Sequence, residues 1–151
     1  MQHLDSDYAE RLLRRLGRIP ADAAPKWGRL RKDTLIEHLI WVLLHSMGRS
    51  PQMTFTGNWL TTRILGPAIL GGWLPIPKNL PIPAKLAAAG VTLREPGGMD
   101  TLRELLEEYL NLVQADELAP APHPLFGDIG VDGWDRLHVR HFEHHLRQFG
   151  V

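Results

Sequence analysis

A chain of 151 residues with 44% hydrophobic and 23% charged side chains has the composition of a single globular domain, and its 17 basic and 17 acidic residues cancel. That balance removes the general electrostatic case for a nucleic-acid or membrane-surface partner and leaves only a local patch to make one. There is no cysteine, so disulfides, thiolate metal sites and cysteine nucleophiles are excluded, and any metal must be held by nitrogen and oxygen.

The N-terminal stretch MQHLDSDYAERLLRRLGRIP alternates charge with leucine and lacks the apolar core of a signal peptide. The first helix is expected from about Ser6 to Leu16, with Tyr8, Leu12, Leu13 and Leu16 at helical spacing and Gly17 and Pro20 as the stop. A second runs from about Asp33 to Met47 and ends at Gly48. Its Leu35, Ile36, Leu39, Ile40, Val42, Leu43 and Met47 cover so much of the circumference that burial on most sides is expected. This greasiest run is interrupted by Glu37, His38 and His45 and is too short to cross a bilayer. A soluble cytoplasmic protein, one domain over residues 1–151, is the expectation.

About fifty residues separate this helix from the next, far more than a compact domain usually leaves without structure of its own. Trp59 to Leu70 suggests a short helix with an interruption at Gly66-Pro67. Beyond it WLPIPKNLPIPAKL carries Pro75, Pro77, Pro81 and Pro83, which forbid a helix interior or a central strand and favour an extended path. No two prolines lie three apart, so a crossover wrapping the helices is preferred to an SH3 ligand. A third long helix, about Asp100 to Leu112, has Asp100 as its N-cap after Gly97 and Gly98, with Leu102, Leu105, Leu106, Tyr109 and Leu112 on one face. The fourth runs from about Asp132 to Phe149, with Gly150 just past its end. The fold expected is all-α, a four-helix bundle with a long Pro-rich connection between helices two and three.

The last helix holds four of the eight histidines. At about 100° per residue, Trp134, His138, His141, His145 and Phe149 fall in one apolar stripe, Arg136, Arg140, Glu143 and Arg147 lie opposite, and His144 sits on the flank. Buried imidazoles need partners for both nitrogens. Either each is a neutral core histidine bonded to a carbonyl, hydroxyl or carboxylate, or His141 and His145, one turn apart, bind one divalent ion together. In the second reading a third ligand comes from helix two, where His38 and His45 share a stripe seven residues apart. Three imidazoles without a carboxylate favour zinc, nickel, copper or iron(II) and leave a coordination position for water or substrate.

A tryptophan-glycine pair ahead of a helix-two histidine, in WGRLRKDTLIEHL, together with HxxxH on the last helix, resembles the DinB-like (YfiT-like) superfamily of metal-dependent enzymes. The PIPKNLP segment and the ending HPLFGDIGVDGWDRLHVRHFEHHLRQFG are similar to a bacterial branch of it along most of the chain, with W-x-x-L-x-x-x-H-x-x-H-H-L-R-Q-F as the long, specific motif. The resemblance implies a metal triad of His38, His141 and His145. It leaves His45 and His138 to the pocket or core, and His144 to line a pocket, contact another helix or be hydrated. For His123 it implies the HPxFG loop, which either reaches the site mouth or, the preferred role, is a loop anchor by Pro124 and Phe126. One departure is Arg31-Lys32-Asp33-Thr34, where relatives carry S/T-P-x-Q; the helix cap is expected to move to Asp33.

Characterised members of the superfamily use the metal near a thiol, as in transfer of bacillithiol or glutathione to electrophiles and mycothiol-dependent isomerisation. The resemblance therefore implies a thiol S-transferase or a hydrolase acting on a small molecule, with a low-molecular-weight thiol as one substrate class and zinc, nickel or iron as cofactor. The alternative is a non-catalytic, metal-binding or stress-associated bundle. Arg29, Arg31 and Lys32 fit either an anionic cosubstrate or a solvated helix entrance. Nucleic-acid binding through Arg136, Arg140 and Arg147 is disfavoured by neutral charge and interleaved acids. Apolar residues left over on helix one or in the crossover permit a homodimer.

Overall fold

The computed structural model describes residues 2–79, 84–88, 90 and 92–151. Among them the regular elements are helical, and the single β-bridge joins His123 to Gly127. Helix α1 spans Ser6–Gly17; the Asp5 carboxylate accepts from the Tyr8 amide at 2.7 Å and so caps it. Tyr8, Leu12 and Leu16 form its buried stripe, as the spacing requires.

Helix α2, Lys32–Ser46, starts one residue earlier than expected, and Asp33 is not its cap. The cap position is Arg31, whose side chain has no acceptor to offer; its own N–H is instead satisfied from inside the helix by the Thr34 hydroxyl at 2.9 Å. Leu35, Ile36, Leu39, Ile40, Val42 and Leu43 are all buried, so the helix is covered on most sides. Helix α5, Met99–Gln114, is likewise capped by Gly98 rather than Asp100. Asp100 lies in its first turn, where a carboxylate favours the positive end of the helix dipole. Helix α6, Gly130–Phe149, begins two residues before the expected Asp132 and ends at Gly150 in the left-handed conformation, φ 78°.

The long connection folds in short pieces. A π-helical turn at Thr61–Leu65 runs directly into α3, Gly66–Leu70, so Gly66-Pro67 does not break the helix as expected. Pro67 has no N–H to donate and its ring crowds the preceding turn; the chain widens ahead of it, with the Gly66 amide reaching Thr61 O across a π-type bond. Pro75 and Pro77 lie outside regular structure, whereas Pro81 and Pro83 fall outside the described residues. The extended path was expected to continue through Leu86, but Ala84–Ala88 forms the short helix α4.

Helices α1 and α2 each pack against both α5 and α6. One core gathers Leu12 and Leu16 of α1, Leu39 and Leu43 of α2, Leu102 and Leu106 of α5, and Phe142 and Leu146 of α6. Burying leucine-sized side chains contributes roughly 1.5–3 kcal/mol each, and this supplies the rigidity that fixes α2 relative to α6. No helix among the described residues is long and apolar enough to cross a membrane.

Candidate metal centre

The α6 stripe is inward, as the spacing predicted: Trp134, His138 and His145 are buried, while Arg136 and Arg147 are exposed. Two of the residues assigned to the outer face are drawn in. Glu143 is gripped by Arg15 of α1 at 2.7 and 3.2 Å and accepts from the Tyr8 hydroxyl at 3.1 Å. Arg140 donates to the Leu74 carbonyl at 2.7 Å.

His38 of α2 meets His141 and His145 of α6 across the interface between the two helices. The His141 Nε2 lies 3.2 Å from His38 Nε2 and 3.1 Å from His145 Nε2. One ligand atom from each of the three lies within 4.8 Å of the others. His45, the other helix-two candidate, does not join them.

The outer nitrogens decide what the inner ones can be. His38 Nδ1 is 2.8 Å from the Leu93 carbonyl, which only accepts, so the ring proton sits on Nδ1 and Nε2 carries a lone pair. His145 Nδ1 is 2.7 Å from Gln148 Oε1, and the amide is held in that sense because its Nε2 donates to the Trp27 carbonyl at 2.7 Å. Two lone pairs are thus aimed at His141 Nε2, which has at most one proton to share between them. A single cation answers all three. Three nitrogens about 2.1 Å from one tetrahedral ion lie roughly 3.4 Å apart, close to the 3.2 and 3.1 Å that separate His141 Nε2 from the other two.

Burial keeps the imidazoles neutral and ready to coordinate. It pushes His145 down to about 3, lowers His38, and holds His141 well below the ordinary histidine range, with neighbouring His145 and His38 adding to the effect. The supporting backbone is unusual at two points. Leu93, which offers the carbonyl to His38, has φ 52°, a left-handed conformation costly for a branched residue. Gly28, beside Trp27, has φ 76°, and a Cβ there would lie 2.8 Å from Gln148 Nε2. The tryptophan-glycine pair of the sequence thus positions His145 through Gln148.

The remaining histidines have other work. Ser46 donates to the Leu43 carbonyl and accepts from His138 Nε2 at 3.0 Å, deep in the core; burial pushes His138 down to about 3. His123 Nδ1 accepts from the amides of Leu125 and Phe126 at 3.2 Å each, and its ring stacks on Phe126 at 4.4 Å. It therefore closes its own loop and does not reach the triad. His144 is half-buried and contacts another segment, edge-on to Trp27 at 5.5 Å. Trp41 stacks on His38 at 6.1 Å and tilts against His45 at 5.1 Å. An acidic hollow on α5, lined by Glu104, Glu107, Glu108 and Glu117, shares no residue with the triad or its supports and is a solvated face.

Sequence reasoning named the three histidines that meet here but missed Gln148 and Leu93. Gln148 was findable, standing three residues after His145 and seven after His141 on one stripe. Leu93 gave no signal, because it acts through its carbonyl. Residues 74–150 match the model of a family described as Protein of unknown function (DUF1569). This stretch includes His141, His145, Gln148 and Leu93, while His38 and Trp27 lie before it. No curated protein and no solved structure matches the chain.

Proposed function

The chain belongs to the family described as Protein of unknown function (DUF1569), and we propose that it binds one divalent transition ion at His38, His141 and His145 and uses it as an enzyme. The observation that carries this reading is the pair of lone pairs, on His38 and His145, converging on a third imidazole nitrogen at 3.2 and 3.1 Å. Within it the four long helices form a DinB-like four-helix bundle with a Pro-rich connection between its second and third members. The donor set of three neutral imidazoles suits zinc, nickel or iron better than calcium or magnesium. Such an ion supplies Lewis acidity, bringing the pKa of a coordinated water or thiol toward neutrality. Leu93 and Gln148 fix the ligand tautomers, while Trp41 and Trp27 wall the rings with apolar surface. The reaction class is thiol S-transfer or hydrolysis on a small molecule.

Protein purified without a histidine tag should retain close to one equivalent of transition metal by elemental analysis, and His141→Ala should abolish it. Cobalt substitution should give a visible spectrum that added thiol perturbs. Negligible metal in the wild-type protein, or retention unaffected by His141→Ala, sinks the site; a cobalt spectrum indifferent to thiols and to inhibitory anions leaves the site structural and sinks the enzyme.

A further inference from the structure

The neutral net charge hides a partition. No acidic residue occurs between Glu37 and Glu95, whereas Arg49, Arg63, Lys78, Lys85 and Arg94 do. Arg49 and Arg94, toward the ends of this stretch, are paired with Glu108 and Glu37. Among the described residues Arg63 has no carboxylate within ion-pair distance, and the Lys78 ammonium lies over the Trp27 ring at 4.3 Å instead of beside an acid. Among the described residues, the same stretch holds the large exposed apolar side chains: Phe55, Trp59, Leu60, Ile64, Trp73 and Leu74.

These residues are not scattered. Trp59, Arg63 and Pro67 recur at intervals of four, as do Leu60 and Ile64, and all are exposed, while Gly66 and Ile69 turn inward and are buried. The turn from Thr61 into α3 therefore presents an outward face that is apolar with one arginine on it, the reverse of an ordinary surface helix. Trp73 and Leu74 follow it, with the Arg140 guanidinium bound to the Leu74 carbonyl. The face is bounded near Phe55 by Gly127, next to Asp128.

We infer that this face docks on an anionic lipid surface, lying in the headgroup layer without crossing the bilayer. Trp73 is 85% and Trp59 69% exposed, so each indole stands nearly free of protein neighbours. A fluid interface closes around such side chains individually, and tryptophan suits it because the ring is apolar and its N–H polar. Arg63 supplies the complementary charge, and the missing acids remove the repulsion that anionic headgroups would otherwise meet. A second copy fits less well: a two-fold contact sets the face against itself and so places two copies of Arg63 in one interface, with no acid in the patch to compensate.

The test is flotation of the full chain with vesicles of equal phosphatidylglycerol and phosphatidylcholine, and of phosphatidylcholine alone, at low salt. Wild type should bind the anionic vesicles with a blue shift in tryptophan emission, and at least about tenfold more weakly to the neutral ones. The double variant Trp59→Ala/Trp73→Ala should lose roughly a hundredfold and the blue shift, and Arg63→Glu at least about fivefold. Both variants alter exposed side chains, and an unchanged thermal melt shows that the fold is kept. Absence of wild-type binding, or binding that survives the tryptophan double variant, overturns the inference. So does a concentration-dependent dimer lost in the double variant without vesicle binding, which gives the face to a second copy. Poly-L-glutamate binding as tight as that of vesicles, sensitive to Arg63→Glu but not to the tryptophans, assigns it to an acidic protein instead.

Discussion

Gln148 shows how much of the centre rests on one uncharged side chain. It is 4% exposed, accepts the Nδ1 proton of His145 at 2.7 Å and donates to the Trp27 carbonyl at the same distance. A leucine there would fill a similar volume but leave a ring N–H and a carbonyl without partners, at about 1–3 kcal/mol each. It would also free His145 to turn over and present the wrong nitrogen. Gln148→Leu is therefore expected to lower stability by about 2 kcal/mol or more and metal affinity by about 10- to 100-fold, read by urea denaturation and by competitive chelator titration. Unchanged affinity would mean that His145 is oriented by packing alone.

At the level of elements, the loop before α2 reaches the far end of α6 only because Gly28 lets it. Its φ of 76° and the 2.8 Å approach of a Cβ to Gln148 Nε2 both exclude a side chain. Gly28→Ala should cost about 1–2 kcal/mol from backbone conformation alone and, by displacing Gln148, weaken metal binding as well. Gly48→Ala is the control: φ is 72° and nothing lies within 4 Å of the added Cβ, so it should show the backbone cost with metal affinity intact. Equal metal affinity in the two variants would disconnect Gly28 from the site. This contrast also marks what the residues announced beforehand. The four long helices were legible because Tyr8, Leu12 and Leu16, or Leu102, Leu106 and Tyr109, repeat at the helical period and must be buried together. Helix starts were misread at Asp33 and Asp100 because the chain turns helical ahead of each: Asp33 accepts the Thr34 amide at 2.9 Å from inside the first turn, and Gly98 holds the α5 cap position with no side chain at all, a matter of geometry that residue type does not fix. The π-helical turn ahead of Pro67 escaped for the same reason.

Across the whole molecule, packing imidazoles into one interior ties stability to pH. Buried His138 and half-buried His123 are pushed down to about 3 and about 4, and His145, His38 and His141 are lowered as well, each chiefly by desolvation. In the unfolded chain they return to the ordinary value of about 6.5. Below that pH the unfolded state takes up protons that the native state refuses, so it gains free energy and stability falls as pH drops; above about 7 both states are neutral and the effect vanishes. Each such histidine contributes a slope of up to about 1.4 kcal/mol per pH unit, between roughly pH 6.5 and its folded value. Urea denaturation of chelator-treated protein should thus give a plateau above pH 7 and a loss of several kcal/mol by about pH 5. A saturating metal should steepen this fall, since the ion binds only the deprotonated ligands of the native state. The metal-free slope separates burial from coordination: a curve flat from pH 7 to 5 would mean that the imidazoles protonate in place, that the interior is wetter than their packing indicates, and that only the metal-linked part of the pH dependence remains.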